Sequence, residues 1–257
     1  MKSVFAFNAL IVTILLFSCT PEKSVEYIHV HPPSIAQEAN SVWSTINNID
    51  FFEQQGYTIH LPQHAMIDSM VHKSKEGAFG NEDYATIYGL LEDGLFSIDD
   101  YEAAIEKIKE QASALNTMIQ HIEDHKSSFD WDFNTFNSYD IILTLYGTGG
   151  GYNPDSGIVN LLTNSRGEFM NYENPANTIM HEIVHIGMEQ SVVQKHQLPH
   201  GIKERLVDLF VKLTFGSQLP EYRVQPMGDE SLDEKLKDEK AWQHLDAMLT
   251  EYMSHFN

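Results

Sequence analysis

Met180-His181-Glu182-Ile183-Val184-His185-Ile186-Gly187 is the stretch that decides how this chain is read. It contains one H-E-x-x-H. On an α-helix, His181 and His185 lie four residues apart and share a face. Two imidazoles so placed can close on one cation at about 2.0–2.1 Å each. Glu182 stands about 100° round the helix from His181, where such sites use it as general base and not as ligand. With 13 histidines in 257 residues, the pattern would arise by chance about once in twenty such chains, so its neighbours must carry the argument.

Those neighbours predict a buried helix. Asn174 can cap it and Pro175 can open it. Ile179, Met180, Ile183, Val184 and Ile186 surround the histidines with apolar side chains, the setting that holds ligands rigid.

A catalytic zinc needs a third protein ligand and an open fourth position. Glu189 extends the ladder, but it lies about 12 Å along the axis from His181 at about 1.5 Å per residue. One straight helix cannot wrap all three round an ion. A metzincin pattern would need Gly at 188 and His at 191, where the chain has Met188 and Ser191. The only cysteine, Cys19, is far upstream. Residues 201–216 read as a second helix, apolar at Ile202, Leu206, Leu209, Phe210 and Leu213. Glu204 and Asp208 share one face of it. An acidic pair on a mostly apolar helix is costly unless a cation or hydrogen bonds satisfy it. Glu204 is therefore assigned as third ligand. Asp208 is assigned as the acceptor that orients the outer N–H of a ligating histidine. The alternatives are a solvated acidic face balanced by Lys203, Arg205 and Lys212, or a ligand role for Asp208, or for Glu189 from a bent helix.

His181-Glu182-x-x-His185, followed nineteen residues later by Glu204-x-x-x-Asp208, resembles the thermolysin-like gluzincin branch of zinc metallopeptidases. The resemblance covers residues 181–208. It implies a two-helix Zn2+ site, Glu182 as base, Glu204 as ligand and a peptide or protein substrate. The expected fold class is α+β, mainly helical and zincin-like, with a small β-sheet before the zinc helix.

The N-terminus reads as an export signal. Lys2 precedes an apolar run over 4–17, a length suited to a signal and short for a membrane span. Leu16-Phe17-Ser18-Cys19 resembles a bacterial lipobox. The expectation is a signal peptide over 1–18, a lipid anchor on Cys19 and a tether over 19–33. The protein would then be an exported, membrane-anchored bacterial lipoprotein facing the periplasm or the cell surface. A single cysteine excludes an intramolecular disulfide. The formal charge of −21 argues against nucleic acid as a partner.

Residues 34–138 read as a helical N-terminal region, and 139–257 as the region of the metal site. In the first, helices are expected over 34–55, ended by Gly56, over 63–75, and from 97–99 to about 125 as a scaffold behind the site. Residues 77–98 suggest short helices joined by turns. In the second, 139–146 and 157–163 read as strands flanking a glycine-rich loop, Gly147 to Ser156. No Lys-Ser/Thr follows those glycines, so the loop is not a phosphate cradle. The loop or the second strand is expected to line the substrate cleft. Residues 232–256 read as one amphipathic helix. His29 and His31 fall in the tether and are read as incidental.

The expected chemistry is hydrolysis by zinc-activated water, with Glu182 taking the proton. His200, Tyr152, Tyr222 and His196 are candidates to stabilise the oxyanion, and His200 is taken as the catalytic one. The competing classes are a binding module with a structural metal and a surface lipoprotein without one.

Overall fold

The computed structural model describes residues 25–254. The signal segment 1–18, Cys19 and the start of the tether lie outside them. The described residues open with strand β1 (Ile28–His31) and continue through helices α1 (Ile35–Asn47), α2 (Ile49–Gln54), α3 (Ala65–Lys75) and α4 (Tyr84–Leu90). The long helix α5 (Glu102–His125) follows, then strands β2 (Tyr139–Thr144), β3 (Gly150–Asn153) and β4 (Ile158–Leu162). Helices α6 (Ala176–Met188) and α7 (His200–Phe215) come next, and three short helices finish the fold: α8 (Ser231–Lys235), α9 (Glu239–Gln243) and α10 (Leu245–Ser254). Helices predominate over a small mixed sheet, an α+β architecture. No helix among the described residues is long and apolar enough to cross a membrane.

The sheet runs β1-β2-β4-β3, parallel except for β3. The two central strands are mostly apolar and mostly buried, with Asp140, Ile158 and Asn160 only partly covered. β1 corrects the tether reading of 19–33. Tyr27 and Ile28 are buried, and β1 pairs with β2 in register from Ile28↔Tyr139 to His31↔Ile142. The alternation Ile28-His29-Val30-His31 is a strand pattern, and His31 rests beside Asp140 at 3.3 Å.

Two further expectations need correction. The helix read over 34–55 breaks at Asn48, whose side chain donates back to the Ser44 carbonyl at 2.9 Å. The helix read over 232–256 breaks twice. Asp238 caps a new helix by accepting from the Ala241 N–H, and the indole of Trp242 donates to the Leu236 carbonyl.

Two apolar cores form. The smaller is built by Ala39, Val42, Ile46, Ile67, Met70, Ile87 and Leu91. The larger joins the sheet, α6, α7 and the C-terminal helices with α5, through Ile108, Leu115, Ile119 and Ile122. α5 therefore packs with the metal-site region as the expected scaffold, although it precedes residue 139. All thirteen residues of α6 are buried, which is the place for a helix apolar on nearly every side. Gly187 makes that packing possible, because a Cβ there would lie 1.9 Å from the Phe133 ring.

Candidate metal centre

Asn174 accepts from the Ala176 N–H at 2.9 Å and starts α6 as its sequence predicts. One helical turn separates His181 from His185, and α7 brings Glu204 against both. His181 Nε2 and His185 Nε2 are 3.0 Å apart, and each is 3.3 Å from Glu204 Oε2. Donors about 2.1 Å from one tetrahedral cation stand about 3.4 Å apart, so this triangle has the dimensions such an ion requires. Two imidazole nitrogens and a carboxylate oxygen suit a first-row divalent cation. The group His181, His185, Glu204 could hold a metal ion.

The outer side of His181 is anchored. Its Nδ1 lies 2.6 Å from the Tyr222 hydroxyl, which donates to Asp208 Oδ1 at 2.7 Å. Asp208 Oδ2 accepts from the Gln225 N–H. With the phenol proton committed to Asp208, the phenol oxygen accepts from Nδ1–H, and Nε2 is left to point inward. Asp208 thus stands on the outer side of His181, reached through Tyr222, which the sequence places only among the oxyanion candidates. His185 differs: its Nδ1 is buried without a partner among the described residues, and its ring stacks on Tyr152 at 4.8 Å and 5°.

Burial presses both imidazoles towards neutrality. For His181 the bonds to Asp208 and Glu204 outweigh burial and lift it to about 10. For His185 burial and the neighbouring His181 charge act together, lowering it to about 4. Burial raises the Glu204 carboxyl, but the two histidines overcome this and hold it well below the usual carboxylate range. These opposed pulls leave two imidazoles and a carboxylate facing one point, where a divalent cation can take the place of protons.

Glu182 is buried, has no hydrogen-bond partner among the described residues, and lines a cavity of about 500 Å³ together with all three triad residues. Burial pushes its carboxyl up to about 7, with His181 pulling down and Glu204 pushing up. The segment read as a glycine-rich loop is in part the edge strand β3, and its glycines have a purpose here. A Cβ on Gly150 would lie 2.2 Å from Glu182 Oε1 and 2.7 Å from Thr178. Two residues on, Tyr152 lies over His185. One face of β3 thus rides on α6, Gly150 at Glu182 and Tyr152 at His185.

The four oxyanion candidates separate. Tyr152 donates to Glu189 Oε2 at 2.8 Å, Tyr222 stands behind His181, and His196 is held by Asp246 at 2.8 Å. Tyr152 and His200 both line the cavity, but Tyr152 is committed to Glu189, whereas the His200 ring nitrogens lie 3.6 Å from Glu204 Oε1 and 3.2 Å from the Tyr57 hydroxyl. Glu189 sits in the π-helical turn Glu189–Gln194 that prolongs α6 and is not in the triad. The helical N-terminal segment supplies a wall that the sequence did not reveal, including Phe51, Phe52, Tyr57 and His60. No family model, curated protein sequence or solved structure matches this chain.

Proposed function

We propose that this protein is a zinc-dependent peptidase of gluzincin type, with His181, His185 and Glu204 holding the metal and Glu182 as general base. The observation that carries the reading is the triad opening into the same cavity as an unpartnered carboxylate. Zinc held by these three residues would supply Lewis-acid activation of a water nucleophile and of the scissile carbonyl. Glu182 accepts the proton of that water and delivers it to the leaving amine. His200, with the Tyr57 hydroxyl beside it, is the donor placed to face developing charge on the carbonyl oxygen.

The β3 edge favours a peptide substrate. β3 pairs with β4 so that Gly151 faces Asn160, and Gly149 accepts from the Leu162 N–H. That register turns the main-chain N–H and C=O of Gly150 and Tyr152 away from β4. They are free to pair with an extended chain laid along the edge. A structural-metal reading has less support, because the described residues supply three ligands and the cavity adjoins them. The zincin-like classification of the fold belongs to the same proposal. So does anchoring through Cys19, which would place the catalytic body at a membrane surface outside the cytoplasm.

The test is metal content and hydrolysis measured together on the full chain. Wild type should hold about one zinc and cleave a peptide library. Glu182→Gln should keep the zinc and lose hydrolysis by about 10²–10⁴-fold. His185→Ala should lose both. Full activity in Glu182→Gln with its metal in place would refute the mechanism.

A further inference from the structure

The chain contains three arginines among 16 basic and 37 acidic residues. With acids in such excess, an arginine lacking a carboxylate partner is informative. Arg166 pairs with Glu168 at 2.6 Å. Arg205 grips Asp233 through two bonds of 2.7 and 2.6 Å. Arg223 has no carboxylate partner among the described residues, and it lines the cavity that holds the metal triad.

Its guanidinium is held in place all the same. It lies over the Tyr172 ring at 5.4 Å, and Nη2 donates to the Asn171 carbonyl at 3.2 Å. Tyr172 stacks on Tyr222 at 5.7 Å and 12°, and Tyr222 bonds His181. A ladder of rings therefore runs from the metal ligand to the guanidinium at the rim. Stacking and one backbone acceptor fix the plane of the fork and leave N–H groups for a planar anion. Lys203 is a second cation on the cavity wall, but it is engaged at 3.3 Å by the Tyr152 hydroxyl and at 3.6 Å by Glu204. Arg223 is the cation with bonding capacity to spare.

We propose that Arg223 is the recognition residue for a carboxylate on the substrate, so that the cavity selects peptides carrying a carboxylate close to the scissile bond. The proposal rests on the peptidase reading for its biological sense, but not for its test. A chain of charge −21 repels anions at long range, and a fixed local guanidinium offsets that repulsion at contact distance, inside the Debye length of about 8 Å. The carboxylate has two sources: the free C-terminus of a peptide or an acidic side chain.

Calorimetric binding to the full-length zinc-loaded protein separates them, and cleavage is followed in parallel. The probes are acetyl-Ala-Ala-Phe as free acid, the same peptide as its amide, and acetyl-Ala-Asp-Phe amide. Wild type should bind the free acid at least about tenfold more tightly than the amide. Arg223→Ala should bring the ratio close to one, and Arg223→Lys should keep part of it, because lysine retains the charge but not the fork. If the Asp-containing amide matches the free acid and loses its advantage in Arg223→Ala, the proposal stands with a side chain as the source. Equal binding of all three probes, absence of binding, or a preference untouched by Arg223→Ala overturns it. Binding preference without cleavage would sink the peptidase reading alone. Cleavage without preference would sink this proposal alone.

Discussion

Of the four carboxylates buried among the described residues, Glu38 and Glu204 are satisfied in opposite ways. Glu38, on α1, meets three neutral donors. Its Oε1 accepts from the Tyr101 hydroxyl at 2.6 Å and the Leu145 N–H at 2.8 Å, and its Oε2 accepts from the Thr144 hydroxyl at 2.6 Å. Glu204, on α7, meets two imidazole nitrogens at 3.3 Å and a lysine at 3.6 Å. Neutral donors close round a carboxylate and leave nothing for a ligand to do. Converging lone pairs repel unless a proton or a cation sits among them. Burial of an acid is therefore no mark of function by itself; the kind of partner it meets is.

Removing each acid should expose this difference most strongly. Glu38→Ala strands the buried Tyr101 hydroxyl and Leu145 N–H at about 1–3 kcal/mol each, while the Thr144 hydroxyl can turn to the Tyr146 carbonyl. It should lose about 3 kcal/mol or more of stability, a fall of about 10 °C in Tm, with zinc content unchanged. Glu204→Ala should do the reverse. Its metal-free Tm should stay near the wild-type value, because His181 can shed its proton. Its zinc affinity should drop by more than about a hundredfold, since loss of an outer partner alone typically costs 10–100-fold. The stabilisation of about 2.7 kcal/mol that wild type gains at a zinc concentration of 100 Kd should vanish. Melting curves with and without zinc read both effects, and an exchange of the two phenotypes would defeat the comparison.

Gly150→Ala probes the boundary between structure and chemistry. Its Cβ cannot coexist with Glu182 Oε1 where that atom now lies, so the proposed base must move while the triad remains. A displacement of about 1 Å can cost about a hundredfold in rate. kcat should fall by that order at full zinc occupancy, and a variant with wild-type kcat would mean that Glu182 does not work from this position. Tyr222→Phe should be milder. His181 Nδ1 keeps Asp208 at 3.2 Å, so zinc affinity should drop by about tenfold, as read by competition with a chelator.

The residues that could be read from sequence share one property: their relation is local to a helix. His181, Glu182 and His185 are fixed by one turn of α6, Glu204 and Asp208 by one turn of α7, and apolar periodicity places both helices. What stayed hidden depends on pairing between distant segments. Gly150 matters because a strand edge crosses α6, and Tyr57 because α2 ends beside α7. Tyr222 reads from sequence as a possible donor, but its side of His181 is set by the loop after α7. β1 was obscured by Pro32 and Pro33, which made four alternating residues look like a tether. Arg223 gave no linear signal at all, since its lack of an acidic partner is a fact of three dimensions.

The smallest effect is the most specific to Glu38. Burial raises its carboxyl pKa above the ordinary value of 4.5, and the bonds from Thr144, Tyr101 and Leu145 only partly offset this. A raised folded pKa means that the native state binds more protons than the unfolded chain through the window above 4.5. The contribution of Glu38 is thus fully present below that pH and is lost as pH rises through the folded value. Glu38→Gln removes the titration and keeps the bonds. The amide oxygen can accept from Tyr101 and Leu145. The amide N–H₂ can donate to Thr144 Oγ1, whose proton turns to the Tyr146 carbonyl at 2.9 Å. The variant should lie within about 1 kcal/mol of wild type at pH 4 and should gain on it as pH rises above 4.5, levelling off once the folded pKa of Glu38 is passed. Urea unfolding of both proteins across that range checks the sign, and other titrating groups cancel in the difference. A flat difference would mean that three neutral donors hold Glu38 as readily charged as protonated, and the contrast with Glu204 would then be one of geometry alone.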